Sequence, residues 1–407
     1  MARGEANEGE VCDVSILFDL AATQPLRGQA HGGAEYAKAL FKQLIAWAGP
    51  GRIKGCYDPH RPLEPDVREV ALAGHVALLE RPATSAIGRL AQDHGCDRLV
   101  SVMPYDLHDA DLTGLDVFLT VHGLRFVEYP VDSQGWRYTG GIAELVKWMI
   151  KLSLPGVYAA RQRGFLDRVL NLPARSLTIV VPSQHTRFSI LDEFPNFDTT
   201  RIRVLYCPET AVSLVEPTER DVRQIGALEP KRYILIVSGS KWIKNAYRAL
   251  EAAVGVIESQ GSGEGLKLAI AGGAPRKMPK RWRRHVVELG RLSTSDLAIC
   301  YRDAFCLMYP TLNEGFGYPP LEAMARGTPV LCSAITSTTE VLGDAAVYFA
   351  PKSIQEMRVR LRMLLEDDGL RAEYAARGRA RHALVAERQR RDQDELCALI
   401  VGARVGA

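Results

Sequence analysis

One stretch constrains this chain more than any other: Asn313-Glu314-Gly315-Phe316-Gly317-Tyr318-Pro319-Pro320-Leu321-Glu322-Ala323-Met324-Ala325-Arg326-Gly327-Thr328-Pro329-Val330. An apolar run, Phe305–Tyr309, precedes it and another, Val330–Cys332, closes it. Short apolar runs bounded by turn residues read as buried parallel strands. Between them Pro319 marks a helix start, and Gly327 and then Pro329 stand just past the helix end. The unit is strand, glycine loop, helix, strand. It belongs to an open α/β sheet, which binds ligands outside the carboxyl ends of its strands. Free amides at such a helix start attract phosphate. Gly315 and Gly317 let backbone come close to a ligand, because no Cβ intrudes.

The same alternation runs twice along the 407 residues, a length that fits two domains. The first series has strands at Val14–Leu20, Arg98–Met103, Val117–Val121, Leu177–Val181 and Ile202–Leu205. A helix is expected from Ala34 to Trp47, and a helical pattern over Leu145–Val169 breaks at Pro155-Gly156. The second series has strands at Tyr233–Val237, Leu266–Ile270, Phe305–Tyr309, Val330–Cys332 and Ala346–Phe349, with helices at Asn245–Ser259, Ser295–Ala304 and Pro319–Arg326. Between the series, Cys207–Pro230 lacks a strand pattern and carries Pro208, Pro217 and Pro230. The expected organisation is a disordered start over 1–10, an N-terminal domain over 11–206, a linker over 207–230, a C-terminal domain over 231–380 and a last helix over 381–407. Two doubly wound α/β domains facing one another leave a ligand cleft between them.

Composition narrows the class. Lys and Arg total 51 against 48 Asp and Glu, a net charge of +3, so the whole chain is no nucleic-acid polycation. Its eight cysteines form no C-x-x-C pair, which argues against a zinc site and fits a reducing, cytoplasmic compartment. No charged-then-apolar leader opens the sequence, so no secretory signal is expected. No run reaches the roughly 20 apolar residues that cross a bilayer. Leu145–Ala160 comes nearest, and Lys147, Lys151 and Pro155 interrupt it. Nothing in the sequence sets the oligomeric state.

Several side chains suit a sugar nucleotide. Glu314 stands where it can accept hydrogen bonds from sugar hydroxyls, and Glu322, expected in the first helical turn, can grip a vicinal diol such as a ribose. Lys241 and Lys244 follow the strand Tyr233–Val237, where a Lys head can pair with phosphate as a point charge. Gly32-Gly33 lies between a strand and a helix and offers amides to an anion. His122, at a strand end beside Gly123, points toward the cleft and can bond a hydroxyl or stabilise developing charge. Arg125 either binds an acceptor anion or is solvated. Each of these also has an ordinary structural explanation: helix-dipole glutamates, a solvated lysine pair, a plain Gly-Gly turn, a structural histidine.

Three further segments are open to two readings. The run Arg276–Arg284 reads as an anion or membrane contact or, better, as a solvated loop, because it has no long amphipathic helix of its own. Lys147, Lys151, Arg161, Arg163 and Arg168, interleaved with Trp148, Met149, Ile150 and Phe165, suit peripheral contact with a membrane face, although a buried helix explains the apolar residues as well. Arg125–Gly141 carries Phe126, Tyr129, Trp136 and Tyr138 and reads as an acceptor-binding lid or a packed loop.

Asn313–Val330 resembles the signature of the retaining glycosyltransferases of family four, the glycosyl transferases group 1, which have the GT-B fold. Gly32-Gly33-Ala34-Glu35, Thr120–Arg125 and Ser238–Asn245 resemble that family's glycine loop, histidine loop and diphosphate segment. The resemblance implies two Rossmann-like domains around a central cleft. It implies a nucleoside-diphosphate sugar as donor, held by the C-terminal domain, and a carbohydrate or lipid-linked acceptor in the N-terminal one. It assigns the diphosphate to Lys244, with Lys241 a weaker substitute for the family's Arg, and to amides around Gly315, Phe316 and Gly317. It gives Gly32 and Gly33 a phosphate contact, and Glu314 and His122 places beside the reacting sugar. The last helix of such folds crosses back to the N-terminal domain, where the family often carries a Trp; none follows Trp282 in this chain. No D-x-D motif stands where a metal would bridge phosphates, so neither metal nor cofactor is expected. An epimerase or a pyridoxal-dependent phosphorylase of similar fold, or a non-catalytic nucleotide-sugar-binding subunit, are the competing readings. An NAD oxidoreductase lacks its G-x-G-x-x-G fingerprint.

Overall fold

Strands buried on both faces read as unbroken apolar runs, and the first of them, β1 (Ile16–Asp19), is buried along its whole length. It lies within a seven-stranded sheet with β2 (Ile53–Tyr57), β3 (Ala77–Glu80), β4 (Arg98–Ser101), β5 (Leu112–Thr120), β6 (Ala174–Val181) and β7 (Ile202–Val204), in the order β3-β2-β1-β4-β5-β6-β7. A second sheet orders its six strands β10-β9-β8-β11-β12-β13, formed by β8 (Tyr233–Val237), β9 (Lys267–Ala271), β10 (Val286–Gly290), β11 (Cys306–Tyr309), β12 (Val330–Ser333) and β13 (Val347–Phe349). All pairings in both sheets are parallel. The computed structural model describes residues 14–24, 32–216, 228–259 and 265–403. The expected disordered start, Cys12 and the middle of the expected linker lie outside them.

Strands β2, β3 and β10 escape the sequence reading. Two of them are sheet edges, and all three are half-exposed or interrupted by Lys, Gly or Glu, so they lack an unbroken apolar run. The helical stretch breaks at Pro155 as expected, into Ile142–Ser153 and Pro155–Leu170. No boundary exists near residue 381: one helix runs without interruption from Asp368 to Val401. It crosses to the first lobe, where Asp394 accepts from Gln43 at 2.5 Å and Asp392 from the Tyr206 amide at 2.8 Å. Arg388 lies 3.7 Å over the Tyr206 ring, and Gln389 donates to the Cys207 carbonyl. These contacts hold the crossing helix without a Trp. Among the described residues no helix is long and apolar enough to cross a membrane, and the described cysteines are free and buried.

The long segment after β5 does not stand free as a lid. It packs on the second lobe. Asp132 there pairs with Arg248 of helix Ala246–Ser259 at 3.0 Å, with side chains only 4% and 9% exposed. Tyr138 accepts from the Tyr247 amide, Lys277 N donates to the Arg137 carbonyl, and Arg137 stacks 3.7 Å over the Tyr247 ring. Glu340 reaches the other way and accepts from the amides of Gln184 and His185, capping a helix start of the first lobe.

Removing one partner of a buried pair leaves an uncompensated charge. Arg248→Ala should therefore destabilise the protein by about 3–5 kcal/mol, read as a lowered urea midpoint. The double replacement Arg248→Met with Asp132→Leu should recover much of the loss.

Candidate active site

Each sheet reverses its direction of growth once: between β1 and β4 in the first lobe, and between β8 and β11 in the second. Crevices form at such switch points, and the loops beyond these strand ends carry the polar residues of interest. After β8, Trp242–Lys244 makes a single tight helical turn. Asn245 ends it in the left-handed region at φ 57°, which Asn tolerates better than most side chains. The Asn245 amide donates to the carbonyls of Pro310, just past β11, and Pro351. Leu312 N donates to the Ile243 carbonyl at 2.8 Å. The two loops are thereby fixed against each other, and Lys244 meets the Glu314 carboxylate in an ion pair.

That pair has a dense set of supports. Lys244 also donates to the Tyr309 hydroxyl at 3.0 Å, and Thr311 Oγ1 donates to Glu314 Oε1 at 3.0 Å. The Glu314 backbone is tied at both ends, its N–H to Thr336 Oγ1 and its carbonyl to Ser337 Oγ. Burial pushes the Glu314 carboxyl up, but the Lys244 charge and the hydrogen bonds from Lys244, Tyr309 and Thr311 outweigh it and hold the group below the usual carboxylate range. Lys241 is pushed the other way. Burial first, then the nearby charges of Lys244 and Arg125, hold its ammonium below the usual lysine range. Among the described residues neither Lys241 nor Arg125 has a carboxylate within ion-pair distance. The lobes thus bring three cations and one carboxylate into a single cluster.

Across the cleft, β5 ends at Thr120, and His122 lies just beyond it. Its Nε2 is 3.0 Å from the Val102 carbonyl, which only accepts, so that nitrogen carries the hydrogen. Its ring meets Tyr36 edge-on at 5.3 Å. The lobes touch at Gly315: a Cβ built there would lie 1.6 Å from the His122 carbonyl oxygen. Gly123, at φ 143°, lies against Gly315 from the other side. Gly317, at φ 101°, precedes helix Tyr318–Ala325. Asn313 donates to Glu128 at 2.6 Å, and the same carboxylate accepts from Ser189 and contacts His185 at 3.0 Å.

Three expectations need correction. Gly32 and Gly33 are not a loop; they form the first turn of helix Gly32–Ala48, and Gly32 faces the Tyr318 ring. Phe316 is buried against Tyr206 and Tyr318, which leaves its backbone, the group named for it in the sequence, to face a ligand. The helix after Gly317 is a poor anion cradle, because Pro319 and Pro320 in its first turn have no N–H. Glu322 sits in the second turn and is buried, accepting from Thr210 at 2.8 Å and Tyr301 at 2.7 Å. Burial raises its carboxyl above the usual range. Residues the sequence reading missed include Tyr309, Thr311 and Asn245, whose hydroxyl and amide groups directly flank the motifs, and Glu128, His185 and Arg248, which only the fold brings near. Among the described residues no group of three or more His, Cys, Asp or Glu side chains could hold a metal ion.

Comparison with known proteins agrees with this geometry. The family described as Glycosyl transferases group 1 matches residues 217–381. O-antigen chain mannosyltransferase B of Escherichia coli is 40% identical over 99 residues, 24% of this chain and 25% of that protein. The aligned part thus spans about a quarter of that relative. The solved sucrose-phosphate synthase of Thermosynechococcus elongatus superposes with a TM-score of 0.67 at 16% identity, covering 95% of this chain and 98% of that one. HepE of Anabaena, solved with UDP-glucose, gives 0.65 at 14% identity over 94% of this chain and 99% of its own. The architecture is GT-B, two α/β lobes around a cleft.

The contact at Gly315 gives a direct check. Gly315→Ala must push the lobes apart and should cost about 1–3 kcal/mol, read as a lowered melting temperature. Gly164→Ala, inside helix Pro155–Leu170 where a Cβ meets nothing within 4 Å, should not lower the melt, because Ala favours a helix interior over Gly.

Proposed function

We propose that the protein is a retaining, metal-independent glycosyltransferase of the cytoplasm. It moves a sugar from a nucleoside diphosphate to a hydroxyl of a carbohydrate or lipid-linked acceptor. One observation carries this reading: at the β8/β11 switch point Lys244 is paired with Glu314, with Lys241 and Arg125 close beside it and His122 across the cleft. Lys244 and Glu314 neutralise each other, which leaves Lys241 and Arg125 to meet an incoming diphosphate. With donor bound, Lys244 turns to a phosphate oxygen as a charge-assisted donor. Glu314, acceptor-only while ionised, turns to hydroxyls of the sugar. Glu322 takes the ribose diol, sharing its oxygens with Thr210 and Tyr301. The match of residues 217–381 supports the activity, and the likeness to an O-antigen mannosyltransferase supports a hexose such as mannose as the moved sugar.

The acceptor oxygen bonds to the anomeric carbon on the face that the diphosphate leaves, so configuration is kept. The bond from that carbon to the phosphate oxygen breaks, and the acceptor proton passes to that oxygen. Fixed positive charge where the leaving group gathers negative charge supplies the main rate gain. In this scheme Glu314 orients the donor sugar and forms no covalent bond with it.

A thermal-shift screen against GDP, UDP, ADP and their sugar conjugates should single out one donor class. With that donor, Glu314→Ala and Lys244→Ala should each slow transfer at least about tenfold, or 1.4 kcal/mol of barrier. Near-normal turnover by both purified variants would overturn the assignment. Product formed from donor alone would mark an epimerase, and binding without transfer a nucleotide-sugar-binding subunit. Lys241 adds a pH dependence. Its free ammonium is depressed below the usual lysine range, and a bound diphosphate favours the protonated form. Donor affinity should therefore fall as pH rises through that depressed value, and Lys241→Met should flatten the profile.

A further inference from the structure

We propose that helix Ile142–Ser153, the start of helix Pro155–Leu170 and the basic run Arg276–Arg284 together form a face that docks on an anionic lipid bilayer. No residue of helix Ile142–Ser153 is buried. Ile142, Val146, Met149 and Ile150 recur at the spacing of one helical face, and they are 82%, 47%, 52% and 57% exposed. Leu154 and Val157 extend the apolar surface beyond the break at 54% and 66%. A contiguous exposed apolar patch of this kind marks an interaction site. The helix is held from its opposite side, where Trp148 Nε1 donates to the Asp132 carbonyl at 3.0 Å. Asp132 is in turn locked to Arg248. The stripe therefore faces away from the anchored side.

Chain folding adds what the helix alone lacks. Lys277 N donates to the Arg137 carbonyl at 2.9 Å, and its ammonium donates to Thr139 at 3.0 Å. A Cβ on Gly140, two residues before the helix, would lie 2.9 Å from the Arg276 guanidinium. The basic run thus begins beside the helix start, and its Arg276, Lys280, Arg281, Arg283 and Arg284 are exposed. Among the described residues, Arg284 alone of these is in an ion pair, with Glu258. Apolar side chains beside clustered Lys and Arg fit an interface of acyl chains and anionic headgroups. A second copy of this chain on the same patch would bring like charges together across a two-fold contact.

The proposal needs no donor or acceptor, so its test is independent of the transfer reading. The full chain is sedimented with vesicles of equal parts phosphatidylglycerol and phosphatidylcholine, and with phosphatidylcholine alone. It should pellet with the mixed vesicles only, and added salt should release it. Met149→Asp with Ile150→Asp, and separately Arg281→Glu with Arg283→Glu, should each weaken binding at least about tenfold while keeping the wild-type melting curve. The inference is overturned if wild type ignores the mixed vesicles or if both double variants still bind. It is equally overturned if the apolar variant instead dissolves a dimer.

Discussion

The structure of the cleft depends on one ion pair, Lys244 with Glu314. An ammonium and a carboxylate removed from water need close geometry and further hydrogen bonds to offset the loss of solvation. Here the geometry comes from backbone. Asn245 in the left-handed region turns the chain after Lys244, and its amide clamps that turn to the end of β11. Tyr309 and Thr311 supply the hydrogen bonds. A pair so built is electrically neutral as it stands and can be divided between the anionic and the hydroxyl-bearing halves of one ligand.

The relation of the lobes follows from the same region. At Gly315 the two backbones come so close that only hydrogen on that Cα fits. Around it, Asn313 reaches Glu128, Glu340 reaches the helix after Ser183, and Asp132 reaches Arg248. The contacts are a mixture of buried and solvated ones, so they are unequal. The Asp132 pair is buried in the second lobe's surface and holds firmly, whereas the Glu340 contacts lie at an exposed helix start.

Much of this was legible in the residues. The apolar runs that became β1, β4, β8, β11 and β12 are unbroken because both faces are covered, and the glycines and prolines around Glu314 mark the loop and helix between two of them. The edge strands β3 and β10 were not legible, since their residues are half-exposed or interrupted by a charge, whereas the edges β7 and β13 kept readable apolar runs. The partners of Glu322 were not either: Thr210 and Tyr301 are ordinary residues in sequence, and only the packing of their elements turns both hydroxyls onto one carboxylate. The same holds for the basic run at Arg276, which forms only the short helical turn Lys280–His285 and gains a long neighbouring helix only through folding.

The measurement that bears most directly on the central claim is a crystal structure with a non-transferable donor analogue in the cleft. The account predicts that the Lys244–Glu314 pair separates, with a phosphate oxygen within hydrogen-bond distance of the ammonium and sugar hydroxyls on the carboxylate. An intact pair, with the diphosphate bound elsewhere, would contradict it.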